Sequence, residues 1–276
     1  MVTGATGALG LEVASDLARH GNRVVLLGRD RTRLRRARWH IAQAAPDRAA
    51  EVEVLMCDLA SMASIRAAAA MVTASRGAVH ALVHCAGVFS AARRTSADGY
   101  ELMVATNHLA PALLTLLLRD ALLAARSGRV VFVTPAHGRA PRLEDPLSLR
   151  SFASLEAFTR SKQMSLSFAS QLAQRWRGSV SVFAADPGQT RSGLLREAPL
   201  QLRAALAVFA GSPEKTKRPI VHAALSPALE GTTGVCFRHR GADSLMSGAD
   251  TEVQLKLWDL TVALLGWGAP VGIAAA

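Results

Sequence analysis

The chain opens almost at once on Thr3-Gly4-Ala5-Thr6-Gly7-Ala8-Leu9-Gly10, which runs straight into a helix-forming stretch. A dinucleotide pyrophosphate needs backbone N–H groups at a helix N-terminus and residues without bulky side chains, so that it can approach them. Gly4, Gly7 and Gly10 meet both needs, with Thr3, Thr6 and Leu9 beside them in the turn. Any tight strand-to-helix corner also favours glycine for steric reasons alone. What tilts the reading toward a cofactor is the position between the first strand and the first helix. The end of the second strand then says which nucleotide. An acidic residue there would accept from the ribose hydroxyls of NAD, but the chain has Gly28-Arg29, and an Arg fork suits a 2′-phosphate. NADP is the expected cofactor, with Asp30, one residue on, as the contrary signal.

The overall charge is +11, carried almost wholly by Arg. Its densest run, Arg29, Arg31, Arg33, Arg35, Arg36 and Arg38, follows the second strand, where it is either a solvated helix face or a surface for the cofactor phosphate. The run lacks interleaved aromatics, so nucleic acid is not an expected partner. Cys57, Cys85 and Cys236 are too scattered for a disulfide framework or a zinc site, which predicts no metal and a reducing, cytoplasmic setting. Met1 leads directly into the glycine turn, leaving no room for a signal peptide or N-terminal anchor. The apolar stretch from Leu257 to Ala276 is interrupted by Asp259, Gly266, Gly268 and Pro270, so it reads as a short helix with a loose end over 267–276 rather than a membrane span.

Elements that could position these residues alternate regularly. Strand-like runs recur at Arg23 to Leu27, Val52 to Met56, Val79 to Val83, Arg129 to Val133, Ser179 to Ala184 and Val235 to Phe237. Helical periodicity fills Leu9 to His20, Met62 to Ala74, Tyr100 to Leu123 and Ala153 to Arg177. The alternation predicts an α/β fold, a doubly wound parallel sheet of Rossmann type, because parallel strands need crossover helices. At 276 residues, 50% of them hydrophobic, the chain can bury one full-sized core, and a single domain over 1–276 is expected. The first strand is short, either because the central strand is trimmed or because the true start lies upstream. Residues 190–219 interrupt the pattern beyond the sixth strand. Ligands in such folds sit at the carboxyl ends of the strands, so this segment is read as a substrate lid, with a plain surface helix as the alternative.

In these features the chain resembles the short-chain dehydrogenase/reductase family, most closely its retinol dehydrogenase-like branch. Cys57-Asp58-Leu59 is similar to the segment whose Asp meets the adenine, and His84-Cys85-Ala86-Gly87 to an Asn-Asn-Ala-Gly element with both asparagines replaced. Asp98-Gly99-Tyr100-Glu101 through Asn107-His108-Leu109 is close to the branch's own wording. Asp186-Pro187-Gly188 matches the turn that flanks the nicotinamide, and Ser212-Pro213-Glu214, Gly234 with Phe237, and Leu257-Trp258 follow the branch farther on. The resemblance implies cofactor contacts from Asp58, Leu59, Cys85, Ala86, Gly87, Lys162, Pro187, Gly188 and Thr190.

It also implies a catalytic tetrad of Tyr, Lys, Ser and Asn, and here the chain departs. The element reads Phe158-Thr159-Arg160-Ser161-Lys162, with Lys162 in register four residues on, where one helix face carries both positions, but with Phe158 where the Tyr belongs. Asn107 stands at the relay position. Two Asn and four Lys occur in the whole chain, and one of each falls on the tetrad. Pro135 occupies the Ser position, and Thr134 is one residue early. A phenyl ring has no proton to give. His137 beside the turn, His108 next to Asn107, and Thr134 are the candidate substitutes, His being best suited near neutral pH; packing is the competing role for His108, and a loop feature of the branch for His137.

Three functions follow as alternatives: an NADP-dependent oxidoreductase with a modified proton relay, acting on a hydrophobic small molecule; a cyclase, dehydratase or isomerase without hydride transfer; and an inactive cofactor-dependent binding module. Apolar surface near Trp258 and Trp267 is the candidate interface for a homo-oligomer.

Overall fold

A computed structural model describes residues 1–75, 77–135, 140–201, 203–204, 210–239, 241–245 and 251–267. The order is β1 (Val2–Thr3), α1 (Ala8–Arg19), β2 (Val24–Gly28), α2 (Arg31–Ala44), β3 (Val52–Met56), α3 (Met62–Ser75), β4 (Ala81–His84), α4 (Leu102–Val104), a wide π-turn (Ala105–Leu109), α5 (Ala110–Leu117) and α6 (Arg119–Leu123). Then come β5 (Arg129–Val133), α7 (Ser154–Arg175), β6 (Ser181–Ala185), α8 (Pro213–Thr216), α9 (Arg218–Leu225), β7 (Val235–Phe237), β8 (Ala242–Ser244) and α10 (Thr251–Leu264).

The strands make one sheet in the order β3-β2-β1-β4-β5-β6-β7-β8. Every pair is parallel except β7 with β8. Strands buried on both faces must be apolar throughout, and β5 is buried along its whole length. Short as it is, β1 pairs with β2 on one side and β4 on the other, and the N-terminal amine donates to Ala81 O at 2.7 Å. Strand order reverses between β1 and β4, which opens the crevice where such sheets hold ligands.

One face of the sheet is covered by α1, α2 and α9, through Val13, Leu17, Leu34, Ile41 and Ile220. The other is covered by α3, α5 and α7, through Ile65, Val72, Leu113, Met164, Phe168 and Leu172. Over α7 lies α10: Trp258 stacks on Phe168 with ring centres 5.0 Å apart, and the Arg175 guanidinium sits 4.2 Å above its indole.

The expected strands are all present within two residues of their predicted limits. The helix expected over Tyr100 to Leu123 is not continuous. Pro111 has no N–H to give the carbonyl four residues back, and the chain takes a wider turn at 105–109, where Ala110 N–H reaches Ala105 O. The antiparallel edge strand β8 had no expectation; its three exposed residues carry no alternation to read. The described part of 190–219 is pinned at its base, where Gly211 N–H donates to Gln189 O at 2.8 Å and Arg191 N–H to Gly211 O at 2.9 Å, and it ends in α8 and the start of α9. Residues 202 and 205–209 of that segment, His137, and 268–276 of the expected loose end lie outside the described residues.

Candidate active site

The glycine turn joins β1 to α1 at the strand-order reversal, and two of its glycines are needed by close approach. Gly4 has φ +66°, and a Cβ there would lie 2.6 Å from Ala86 Cα; one on Gly10 would lie 2.3 Å from Gly4 O. Gly7 caps α1 without a side chain, leaving the amides of the first turn facing an open surface, since Gly7 and Ala8 are exposed. Thr3 Oγ1 accepts from Ala86 N–H at 3.2 Å and so ties the turn to the loop after β4. Leu9 packs into the core below. A backbone cradle with no side chain in it, at a helix N-terminus, fits a pyrophosphate.

Asp30 is committed elsewhere. Its carboxylate caps α2 by accepting from Arg33 N–H at 2.9 Å. Arg29 is exposed beside it, and Arg33 donates to Thr6 O at 3.0 Å, so a second guanidinium stands at the glycine turn. The sequence lists Arg33 only as one of a basic run; its place in the first turn after the Asp30 cap is the signal that singles it out. Asp58 accepts from Ala60 N–H at 3.0 Å, and its own amide donates to Ser64 Oγ, which shapes the turn that carries half-buried Leu59.

Beyond β4, Gly87 is the meeting point. A side chain beginning there would touch Lys162 Nζ at 3.5 Å, Leu194 Cδ1 at 3.5 Å and Asn107 Oδ1 at 3.7 Å. The structure thus brings Asn107, from the π-turn, and Lys162, from α7, to one spot beside Cys85, Ala86 and Gly87. Asn107 Oδ1 accepts from Val88 N–H at 2.8 Å, while its Nδ2 donates to Val88 O and to Ser161 Oγ, both at 3.0 Å. Ser161 Oγ donates onward to Phe158 O at 2.7 Å. Lys162 Nζ donates to Val133 O at 3.1 Å, and burial pushes its pKa down to about 8, with nearby Cys85 opposing. Burial likewise pushes the Cys85 thiol up to about 12.

Thr134 sits at the end of β5, buried, and its hydroxyl donates to Lys162 O at 3.2 Å, while Pro135 beside it is exposed. His108 faces away from this spot. Its Nε2 lies 2.8 Å from Thr261 Oγ1 on α10, and burial pushes the ring down to about 3, which is the packing role. On the far side, Gly188 has φ +65° and its N–H donates to the Asp186 carboxylate at 2.8 Å, which fixes the turn that carries Pro187 and leads to Thr190.

Phe158 is half-buried in a small apolar cluster of its own. Its ring meets Phe89 edge-on with centres 5.7 Å apart, and Met103, Ala157, Phe152, Leu194, Leu195 and Ala198 complete the group. Leu194, Leu195 and Ala198 belong to the 190–219 segment, so that segment closes over Phe158 and borders Gly87.

A family model described as short chain dehydrogenase matches residues 1–202. The chain belongs to the short-chain dehydrogenase/reductase family. Within this family it lies in the retinol dehydrogenase-like branch. It is 36% identical to mouse (Mus musculus) polyprenol dehydrogenase, over 97% of this chain and 84% of that one, and 31% identical to mouse retinol dehydrogenase 14, over 96% and 85%. A solved structure from Beutenbergia cavernae, a candidate NAD(P)-dependent gluconate 5-dehydrogenase with NADP bound at low occupancy, is 25% identical. It superposes with a TM-score of 0.69 over 86% of this chain and 93% of that one. The short-chain dehydrogenase/reductase fold binds nicotinamide dinucleotides, and oxidoreductase chemistry is favoured over the two non-redox readings. Among the described residues no cluster of side chains could hold a metal, and no helix is long and apolar enough to cross a membrane.

Proposed function

We propose that the protein is an NADP(H)-dependent oxidoreductase that interconverts a long, apolar alcohol and its carbonyl, using a proton relay without the family's tyrosine. The observation that carries the reading is the convergence at Gly87: Lys162, Asn107 and the apolar cluster around Phe158 all border one spot in the crevice that also holds the glycine turn. A bound nicotinamide supplies or accepts the hydride. Gly4, Gly7 and Gly10 leave room for its pyrophosphate, Arg29 and Arg33 suit a 2′-phosphate, and Lys162 reaches its ribose. Residues 190–219 act as a lid that excludes water from the reacting carbon. The names of the relatives, a polyprenol and a retinol dehydrogenase, point to the same kind of substrate as the ring and aliphatic lining here. Three free cysteines suit a reducing, cytoplasmic compartment.

The test is oxidation of NADPH, followed by absorbance, with a panel of long-chain aldehydes and ketones. Turnover with an apolar carbonyl supports the reading. Absence of turnover in the wild type, together with its appearance in a Phe158→Tyr, Pro135→Ser double variant, overturns it. In Arg29→Glu the affinity for NADPH falls about tenfold to a hundredfold, the equivalent of about 1.4 to 2.8 kcal/mol, while NADH binding changes little. Equal losses for both nucleotides would remove the 2′-phosphate assignment.

A further inference from the structure

The loss of a tyrosine hydroxyl raises the question of which group moves the proton. Among the described residues around Gly87, the polar side chains are nearly all committed. Asn107 has both amide ends bonded, to Val88 and Ser161. The Ser161 hydroxyl donates to Phe158 O, and that of Thr134 to Lys162 O. His84 and His108 are buried against Thr115 and Thr261, away from the spot. An ammonium has three N–H groups, and Lys162 shows one bond, to Val133 O. Its Nζ borders the same space over Gly87 as Leu194 of the lid.

We propose that Lys162 is itself the general acid and base of this enzyme, giving its proton directly to the substrate oxygen. The assignment rests on the oxidoreductase reading above. In the reducing direction an N–H bond of the Lys162 ammonium breaks as hydride arrives at the carbonyl carbon, and the proton joins a lone pair of the carbonyl oxygen to complete an alcohol. The N–H electron pair stays on Nζ, and the neutral amine takes a proton from solvent water before the next turnover. An acid is most effective when its pKa lies near the working pH, and desolvation brings this lysine down to about 8. The neighbouring charge that bears on it is that of Cys85. The Cys85 thiol after β4 is held neutral, the Asp186 carboxylate at the end of β6 is spent on Gly188 N–H, and Arg160 on α7 turns away to Ser148 and Glu156.

With four lysines in the chain, protein labelled with ¹³C at lysine Cε gives few enough signals for Lys162 to be assigned by its disappearance in Lys162→Arg. That signal is expected to titrate near pH 8. In parallel, the reduction rate should fall about tenfold per pH unit above the same midpoint. Lys162→Arg, which keeps the charge but cannot release a proton near neutral pH, should lose that break and about a hundredfold or more in rate. His137→Ala should keep the break. A Lys162 midpoint above 10, a break that survives in Lys162→Arg, or one that vanishes in His137→Ala overturns the assignment alone. No turnover by any variant, the Phe158→Tyr, Pro135→Ser pair included, overturns the redox reading and this assignment with it.

Discussion

At Gly10 a single methyl group is too much. Its Cβ would lie 2.3 Å from Gly4 O, a backbone atom that can move only by dismantling the turn. Gly10→Ala is therefore expected to cost about 1–3 kcal/mol, the usual range for overpacking, and to abolish dinucleotide binding. Thermal melting and a fluorescence titration with NADPH check both, and an unchanged melt would mean the turn relaxes. Lys162 and Asn107 were expected at the site from the resemblance to the family, which their rarity in the chain supported. Asp30 and Arg33 were not legible, because a carboxylate beside a strand end reads equally as a ribose acceptor or as a helix cap. Only the 2.9 Å bond to Arg33 N–H decides for the cap.

Among the elements, α10 holds the active-site side of the molecule together more than its composition suggests. Leu257 is fully buried, Thr261 meets His108, and the carbonyls of Leu264 and Leu265 accept from Tyr100 and Arg66 at 2.9 Å and 3.0 Å. Leu257→Ala should cost about 2–5 kcal/mol, read as a shift in the denaturant midpoint; a loss under about 0.5 kcal/mol would show that α10 is a dispensable cover. Trp258 and Trp267, on the surface expected to associate between copies, are half-buried and pack one side against the core. Helix α10 was expected only as a short helix from Leu257, and its first two turns were not. The break at 105–109 could not be read, because the stretch from Met103 to Leu116 is buried nearly all round and shows no stripe whose phase could shift, and Pro111 alone does not announce which turn will widen.

For the molecule as a whole, the two buried histidines set the response to acid. Burial pushes His84 and His108 down to about 3, whereas an unfolded chain takes up those protons as the pH falls through about 6.5. The unfolded state therefore binds more protons between those values. The stability these rings contribute is complete above about 6.5 and is lost progressively as the pH falls toward 3. The melting temperature should drop between pH 7 and pH 5, and His108→Gln, which keeps a donor for Thr261 but cannot titrate, should reduce that drop; equal drops in both proteins would exclude His108 as a source. From the sequence alone came the doubly wound sheet, the glycine turn, the arginine in place of an acidic residue, and a lysine and an asparagine without their tyrosine. The sheet, the glycine turn and the arginine are matters of residue type and spacing along the chain, whereas the lysine, the asparagine and the missing tyrosine were singled out by the resemblance to the family. The tertiary structure decided which histidine is inert, which aspartate is a cap, and that Phe158 lies under the 190–219 segment. The histidine and Phe158 depend on partners far away in sequence, as Thr261 is from His108, and no local pattern encodes which distant group fills a neighbouring space; the partner of Asp30 is local, but its residue type alone does not say which way the carboxylate turns.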